Sequence, residues 1–303
     1  MKLYYFHPSN GNFGDDLNAW LWPRLLGPSF FDEDADELLV GIGTLLNHRI
    51  PAASRTLVFG SGYGYGKKPA VDARWHFFCV RGPKTAAALG LPPDLAVTDP
   101  ALLIRPHVAP WIKPVRGRVG YIPHCDSAEN GDWASIAAAA GLHFIDPRWS
   151  VDRVVEELGQ CERLVTEAMH GAIFADAMRV PWTAATAYAH ISEFKWQDWC
   201  ESLGLRYHAQ PLPSVWNGDV EATLAQHAKN EIKRLLAKAG LAQAHWTPPP
   251  PRRSTRRVWE AAAEALRKAA AVSPMLSDDK MHDMRFEQLN ERLKALKTYA
   301  KQP

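Results

Sequence analysis

Short, nearly continuous apolar runs alternate with amphipathic stretches through most of this chain. Lys2–Phe6, Glu37–Gly43, Thr56–Gly60 and Trp75–Val80 are too short for helices, and they predict strands buried on both faces, as in a parallel sheet. Between and after them, Leu17–Leu26 predicts a helix whose regularity Pro23 limits. Pro83–Leu89 predicts a short helix opened by a proline, and Ala96–Leu103 a further strand or extended segment around Thr98-Asp99-Pro100-Ala101. Pro106, Pro110 and Pro114 make Arg105–Arg116 read as an interdomain linker. A second series follows, with strands predicted at Arg118–Ile122, His143–Asp146, Leu164–Glu167 and Trp182–Ala187. Helices fit Trp133–Ala140, Val151–Leu158, Ala172–Met178 and Glu193–Leu203, and a helix at Val220–Lys238 packs on this body. Pro248–Pro251 is a stiff, extended break. Beyond it Val258–Ala271 is helical by composition, and Met281, Leu289, Leu293 and Leu296 fall near one helical face.

Two consecutive α/β series joined by a short linker predict an α/β protein with two Rossmann-like domains, residues 1–108 and 115–245, facing across a cleft. Residues 252–303 form a helical, basic C-terminal extension, either packed back on the protein or pairing with a partner.

Composition narrows the class. The hydrophobic fraction of 47% and charged fraction of 22% are those of an ordinary globular enzyme. No apolar run approaches the ~20 residues that span a bilayer, and Met1–His7 does not resemble a signal peptide. Cys79, Cys125, Cys161 and Cys200 are widely spaced, which predicts reduced thiols and a cytoplasmic protein. Net charge is +2, with twelve Lys/Arg against seven Asp/Glu in 252–303, leaving 1–251 at −3. That body is too weakly charged for a nucleic-acid binder. The basic extension can touch an anionic membrane surface, although a solvated helical face accounts for the same charges. Twelve tryptophans hint at sugar stacking, but Trp is foremost a packing residue.

The candidate chemistry sits at predicted strand ends, where open α/β sheets hold ligands. His170 lies where the strand ending at Thr166-Glu167 turns into a helix, so a proton-transfer group adjoins an anion-binding helix N-terminus at Gly171. His124 closes the first strand of the second series and points toward the same crevice. Arg81, at the end of Trp75–Val80, suits bidentate binding of a carboxylate or phosphate, and Lys195 adds positive charge. Asn10-Gly11-Asn12-Phe13-Gly14-Asp15-Asp16 follows the first strand; its carboxylates repel a phosphate, so it serves an acceptor hydroxyl or caps the helix. Gly60-Ser61-Gly62-Tyr63-Gly64-Tyr65-Gly66 reads as a backbone-lined wall or a turn. No H-E-x-x-H or His-x-His pattern points to a metal.

These motifs together resemble the polysaccharide pyruvyl transferase family over roughly residues 1–210. The residues that carry the resemblance are Asn10–Asp15, Gly60-Ser61-Gly62, Arg81-Gly82-Pro83-Lys84-Thr85 and Thr98–Leu103. In the second series they are Ile122-Pro123-His124, Met169-His170-Gly171 and Phe194-Lys195. The chain is most similar to the subgroup acting in bacterial exopolysaccharide synthesis. The resemblance implies a fold similar to the GT-B glycosyltransferases, with phosphoenolpyruvate as donor substrate and no cofactor. It also implies a lipid-linked oligosaccharide or polysaccharide acceptor, a pyruvate ketal as product, and a cytoplasmic location that can be peripheral at the membrane's inner face. On that reading His170 is the principal acid/base group, His124 assists it, and Asp15 orients the acceptor. Arg81, Lys195, Gly171, Gly60, Ser61 and Gly62 bind the donor; Asn10, Asn12, Asp16 and Tyr63 face the acceptor. One departure stands out: many members have Arg-Leu-His-Gly where this chain has Ala168-Met169-His170-Gly171. The alternatives are a nucleotide-sugar glycosyltransferase and a non-catalytic polysaccharide-assembly protein.

Overall fold

A computed structural model describes residues 1–7, 9–32, 36–218, 223–239, 249 and 251–300. The first series comprises β1 (Lys2–Tyr4), α1 (Phe13–Leu26), β2 (Glu37–Val40), β3 (Arg55–Phe59), β4 (Trp75–Cys79), α2 (Pro83–Leu89) and α3 (Arg105–Val108). The second runs through β5 (Val119–Ile122), α4 (Cys125–Asn130), α5 (Trp133–Ala140), β6 (His143–Phe144), α6 (Val151–Gly159), β7 (Arg163–Thr166), α7 (Met169–Ala177), β8 (Trp182–Thr186), α8 (Glu193–Ser202) and β9 (Ala209–Pro211). Helices α9 (Leu224–Lys238), α10 (Arg256–Ala271) and α11 (Asp279–Tyr299) follow.

The strands form two sheets, ordered β1-β2-β3-β4 and β6-β5-β7-β8-β9, and every pairing within them is parallel. Parallel register brings the C-terminal ends of neighbouring strands together; Ile122 of β5, for example, lies beside Thr166 of β7. The fold is thus α/β with helical connections, as the alternating pattern predicts.

Several boundaries move for local reasons. Helix α1 begins at Phe13 rather than Leu17, because Asn12 Oδ1 accepts the Gly14 N–H at 3.0 Å and caps it early. Helix α7 likewise begins at Met169, so His170 is inside the helix. Ala96–Leu103 is not a strand. After a single bridge from Val80 to Ala96, Asp99 caps a 3-10 helix at Pro100–Ile104 by accepting the Ala101 N–H at 3.0 Å. The expected linker is also mostly helical, passing through α3 and a 3-10 turn at Ala109–Trp111, because Pro106 and Pro110 occupy first-turn positions. The strand expected at His143–Asp146 shortens to the two residues of β6, while the six-residue α4 and the short β9 are additional elements that periodicity did not mark. The expected helix start at Val220, and Pro248 and Pro250 of the proline break, lie outside the described residues.

The main core spans both sheets. Phe13, Leu17, Leu21 and Trp22 of α1 join Leu57 and Phe59 of β3, Leu164 of β7, Phe174 of α7 and Trp196 and Trp199 of α8. Phe13 meets Phe174 edge-on at 5.1 Å, linking a helix of each series. Trp22, Trp133, Trp182, Trp196 and Trp199 are fully buried, so most of the tryptophan signal near the core is packing. Cys79, Cys161 and Cys200 are buried free thiols, and Cys125 is half-buried.

The C-terminal helices pack back on the protein. Ala262, Ala263, Leu266 and Ala269 of α10 are buried against α5 and the second sheet, the small side chains permitting close approach. The chain then crosses back: Leu289, Leu293 and Leu296 of α11 enter the main core beside β4 and Pro100–Ile104. Tyr299 stacks on His76 of β4 at 4.3 Å. Arg179, a non-glycine residue at φ 60°, is held in the left-handed region by bonds to Ser277 and to Asp279 at the start of α11.

Candidate active site

The C-terminal ends of β1, β2, β5 and β7 surround one cavity of about 650 Å³, completed by α8. Its lining includes Asn12, Asp15, Arg49, Tyr65, His124, Asp126, Glu167, Ala168, His170 and Lys195. Parallel strands that leave their turns at one edge produce such a crevice.

Helix α1 presents its N-terminus to it. Asn12 Nδ2 donates to Asp15 Oδ2 at 2.8 Å, and the Asn12 N–H donates to Asp16 Oδ2 at 3.2 Å. Burial pushes the Asp15 carboxyl up to about 7, with Lys195 opposing the rise and Asp16 adding to it. A carboxyl tuned this way is partly protonated at neutral pH and can give or take a proton.

Across the cavity, α7 has Ala168 at its N-cap position and no side-chain cap, so its positive N-terminal end adjoins the lining residues Ala168, Met169 and His170. The turn into α7 is fixed by Thr166, whose Oγ1 accepts the Ala168 N–H at 3.0 Å. A Cβ at Gly171 would lie 2.6 Å from that same Oγ1, so only glycine lets the helix sit this close to the strand. Burial, with Arg81 and Lys195 adding to it, pulls the His170 imidazole down to about 3. His170 is therefore neutral near pH 7, one ring nitrogen carrying a lone pair.

His124 caps α4: its Nδ1 accepts the Asp126 N–H at 3.3 Å. Burial lowers it to about 4, Asp126 opposing and Lys195 and His190 reinforcing. Lys195 projects from α8 over the Tyr65 ring at 4.5 Å, and burial with the Arg81 charge lowers it to about 8. It remains largely charged at pH 7. Gly64 packs under its stem, where a Cβ would lie 2.9 Å from Lys195 Cγ.

Other expected site residues are placed elsewhere. Arg81 is fully buried and does not line the cavity, because its guanidinium is already committed. Nε donates to Asp198 Oδ2 at 3.0 Å, one terminal nitrogen to Thr44 Oγ1 at 2.8 Å and the other to the Tyr63 carbonyl at 3.1 Å. Ser61 is buried between the Gly43 carbonyl and the Leu45 N–H. Gly60 packs on Pro100, and Gly62 on the Arg81 guanidinium, so this loop builds a wall behind the site. Tyr63 turns away, its hydroxyl donating to the Gly66 carbonyl at 3.1 Å. Asn10 bonds the Glu129 carboxylate on the surface, Asp16 serves the α1 cap, and Gly171 is buried.

The cavity also contains residues that local sequence reasoning did not single out. Glu167 is buried, accepts the Ala187 N–H at 2.6 Å, and is pushed up to about 7 by burial. Its signal was available: it is one residue past the end of β7 and three before His170. Arg49 comes from a loop without periodicity and no pattern marks it, whereas Tyr65 belongs to the glycine-rich loop Gly60–Gly66 that the sequence did mark. Among the described residues, His124, Asp126 and His190 hold donor atoms within 4.8 Å of one another. Asp126 Oδ2 lies 3.7 Å from His124 Nδ1 and 3.5 Å from His190 Nε2, a spacing a divalent cation can bridge. Two features oppose it: the His124 Nδ1 lone pair already holds the α4 cap, and the charge of Lys195 acts on the same pair.

No helix among the described residues is long and apolar enough to cross a membrane. A family model described as polysaccharide pyruvyl transferase matches residues 46–189. The chain is 38% identical over 297 residues to succinoglycan biosynthesis protein ExoV of Rhizobium meliloti (strain 1021), an alignment covering 92% of this chain and 93% of that protein.

Proposed function

The chain belongs to the polysaccharide pyruvyl transferase family, and from that premise we propose that it moves the enolpyruvyl group of phosphoenolpyruvate onto two hydroxyls of one sugar in an exopolysaccharide repeat unit, forming a pyruvate ketal and releasing phosphate. The acceptor is a lipid-linked oligosaccharide or a polysaccharide. The observation that carries this reading is the convergence of His170, His124, Asp15 and Lys195 on one cavity, beside the uncapped N-terminus of α7.

The reaction needs an acid, a base and a grip on three negative charges. Protonation of the donor methylene creates positive character at the central carbon, which the first sugar hydroxyl attacks as it loses its proton. The second hydroxyl then displaces phosphate and its proton leaves with that phosphate, so the two hydroxyl protons balance the new methyl hydrogen and the phosphate proton. Asp15, held up to about 7, supplies the acid at neutral pH. His170, neutral because its conjugate acid is lowered to about 3, takes the hydroxyl proton, with His124 assisting. That lowering makes His170 a weak base in the empty cavity, and donor anions entering beside it raise its basicity from that low value. Lys195, the α7 N-terminus and the cavity-lining Arg49 hold the carboxylate and phosphate. Arg49 and Lys195 thereby serve in place of the arginine that Ala168 lacks, and Asn12 and Tyr65 flank the acceptor.

We read the two series as Rossmann-like domains, 1–108 and 115–245, in a GT-B-like arrangement, with 252–303 as the helical extension. The exposed Arg252, Arg253, Arg256 and Arg257 offer a peripheral contact with anionic headgroups from the cytoplasmic side. The test is mass spectrometry of lipid-linked or synthetic oligosaccharides incubated with the protein and phosphoenolpyruvate. A mass gain matching a pyruvate ketal, with equimolar phosphate release that depends on both substrates, is expected; phosphate release without a glycan product, or transfer from a nucleotide-sugar, overturns it.

A further inference from the structure

Behind His170 lies a carboxylate with one oxygen unused. Asp99 is fully buried at the start of the 3-10 helix Pro100–Ile104, and its Oδ1 accepts the Ala101 N–H at 3.0 Å. Its Oδ2 faces His170 Nε2 at 3.8 Å, and neither atom has a hydrogen-bond partner among the described residues. Buried polar atoms without partners are costly and uncommon. Here two of them face each other, one able to donate and the other only to accept if ionised. Closing the gap by about half an ångström or more brings the pair into hydrogen-bond range, and the bond that results is Nε2–H to Oδ2.

The other edge of the ring is kept clear. Gly14, in the first turn of α1, packs against the imidazole, and a Cβ there would run into His170 Nδ1. Glycine at this position therefore keeps the Nδ1 side free of a side chain. Around the pair stand Arg81 and Lys195, which act on His170, and Arg81 and Asp198, which act on Asp99.

We propose that Asp99 is a positioning residue that holds His170 as its Nε2–H tautomer, leaving the Nδ1 lone pair, uncovered by Gly14, to face the cavity. The inference rests on the reading of His170 as the proton-transfer group. A neutral imidazole with Nδ1 protonated has its lone pair buried against Asp99 and cannot serve the cavity, so tautomer control decides whether the base works.

The experiment is 15N NMR of histidine-labelled, substrate-free protein near neutral pH, with the His170 resonances assigned by their loss in His170→Asn. The wild type is expected to show Nδ1 unprotonated and Nε2 protonated. Two substitutions separate positioning from capping: Asp99→Asn, whose side chain can still cap, and Asp99→Ser, which caps but is too short to reach His170. Both are expected to fold, to lose the uniform Nε2–H tautomer, and to lower kcat about 10²-fold or more with KM for phosphoenolpyruvate changed less than about threefold. An Nδ1–H wild type, or folded variants that keep both tautomer and kcat, overturns the proposal. Failure of the underlying reading is a separate result: His170→Asn would retain transfer whatever the tautomer spectrum shows.

Discussion

Removing the Asp198 carboxylate should cost more stability than any other single polar truncation near the site. Asp198 sits on α8, fully buried, and accepts Arg81 Nε at 3.0 Å, Thr85 Oγ1 at 2.6 Å and the Thr85 N–H at 2.8 Å. Arg81 is equally buried. Asp198→Ala leaves a guanidinium without its counter-charge and two further donors without an acceptor, so the expected loss is about 3–5 kcal/mol. That is a large part of the ~5–15 kcal/mol that holds a typical domain together. Asp198→Asn keeps an acceptor for the Thr85 N–H but gives up the charge, and should lose about 2–3 kcal/mol. Arg81→Met combined with Asp198→Ala removes the stranded charge, so the double variant should be more stable than the sum of its singles by at least about 1 kcal/mol. Urea denaturation followed by tryptophan fluorescence reads the wild type, Asp198→Ala, Asp198→Asn, Arg81→Met and the double variant, Trp196 and Trp199 being buried on the same helix. A loss below about 1 kcal/mol in Asp198→Ala with an unchanged m-value would refute the dry ion pair. The series also decides what Arg81 does. With its guanidinium committed to Asp198, Thr44 and Tyr63, Arg81→Lys should destabilise the fold before it changes donor affinity; a raised KM for phosphoenolpyruvate at unchanged stability would place Arg81 on the donor instead.

Three further outcomes are expected. His170→Asn should lower kcat by about 10²–10⁴-fold in a phosphate-release assay with little change in melting temperature; near-wild-type turnover at saturating donor would remove it from the mechanism. The rate should fall as pH rises, first through about 7 as Asp15 loses the proton it must donate, then through about 8 as Lys195 loses its charge. Lys195→Met should abolish the second inflection and move the first upward, because the Lys195 charge holds Asp15 down, and a rate that climbs between these values would contradict the assigned roles. Leu289→Ala, at a fully buried position of α11, should cost about 2–4 kcal/mol by chemical denaturation; a negligible loss would mean that α11 is a detachable appendage.

The α/β alternation was legible because parallel strands covered on both faces must be largely apolar, as Leu38–Val40 and Leu57–Phe59 are. The convergence of His124, His170, Asp15 and Lys195 was legible for a related reason: parallel strands all deliver their following loops to one edge. Local reasoning failed where a side chain's fate depends on a distant residue. Arg81 has every sequence mark of an anion clamp, yet its partner is Asp198, 117 positions away. Gly60 and Gly62 suggested a ligand-facing wall, and what approaches them is Pro100 and Arg81. Arg49 and Tyr65 lay in loops, where no period constrains which residue faces inward.

The site takes parts from both series, which explains why so much of the polar core joins them. Asp15 and Asp99 come from the first series, His170 and Lys195 from the second. Proton transfer requires these groups to hold positions to within a fraction of an ångström, while the main-chain connections between the series fix no such distance. Cross-series contacts must fix it. Phe13 against Phe174, Gly14 against His170, Gly64 under Lys195 and Gly82 against the Asp198 carbonyl are close approaches in which one partner is an aromatic ring or a bare glycine. The Arg81–Asp198 pair adds a buried bond whose geometry tolerates little sliding, and α11 closes the assembly by returning from the second sheet to the first. A floor braced in this way leaves adaptation to the mouth, where Arg49, Tyr65 and His190 are exposed. The missing arginine at Ala168 then fits the architecture: in the proposed reaction the donor's charge is met from the more open rim and by the helix end rather than from the floor.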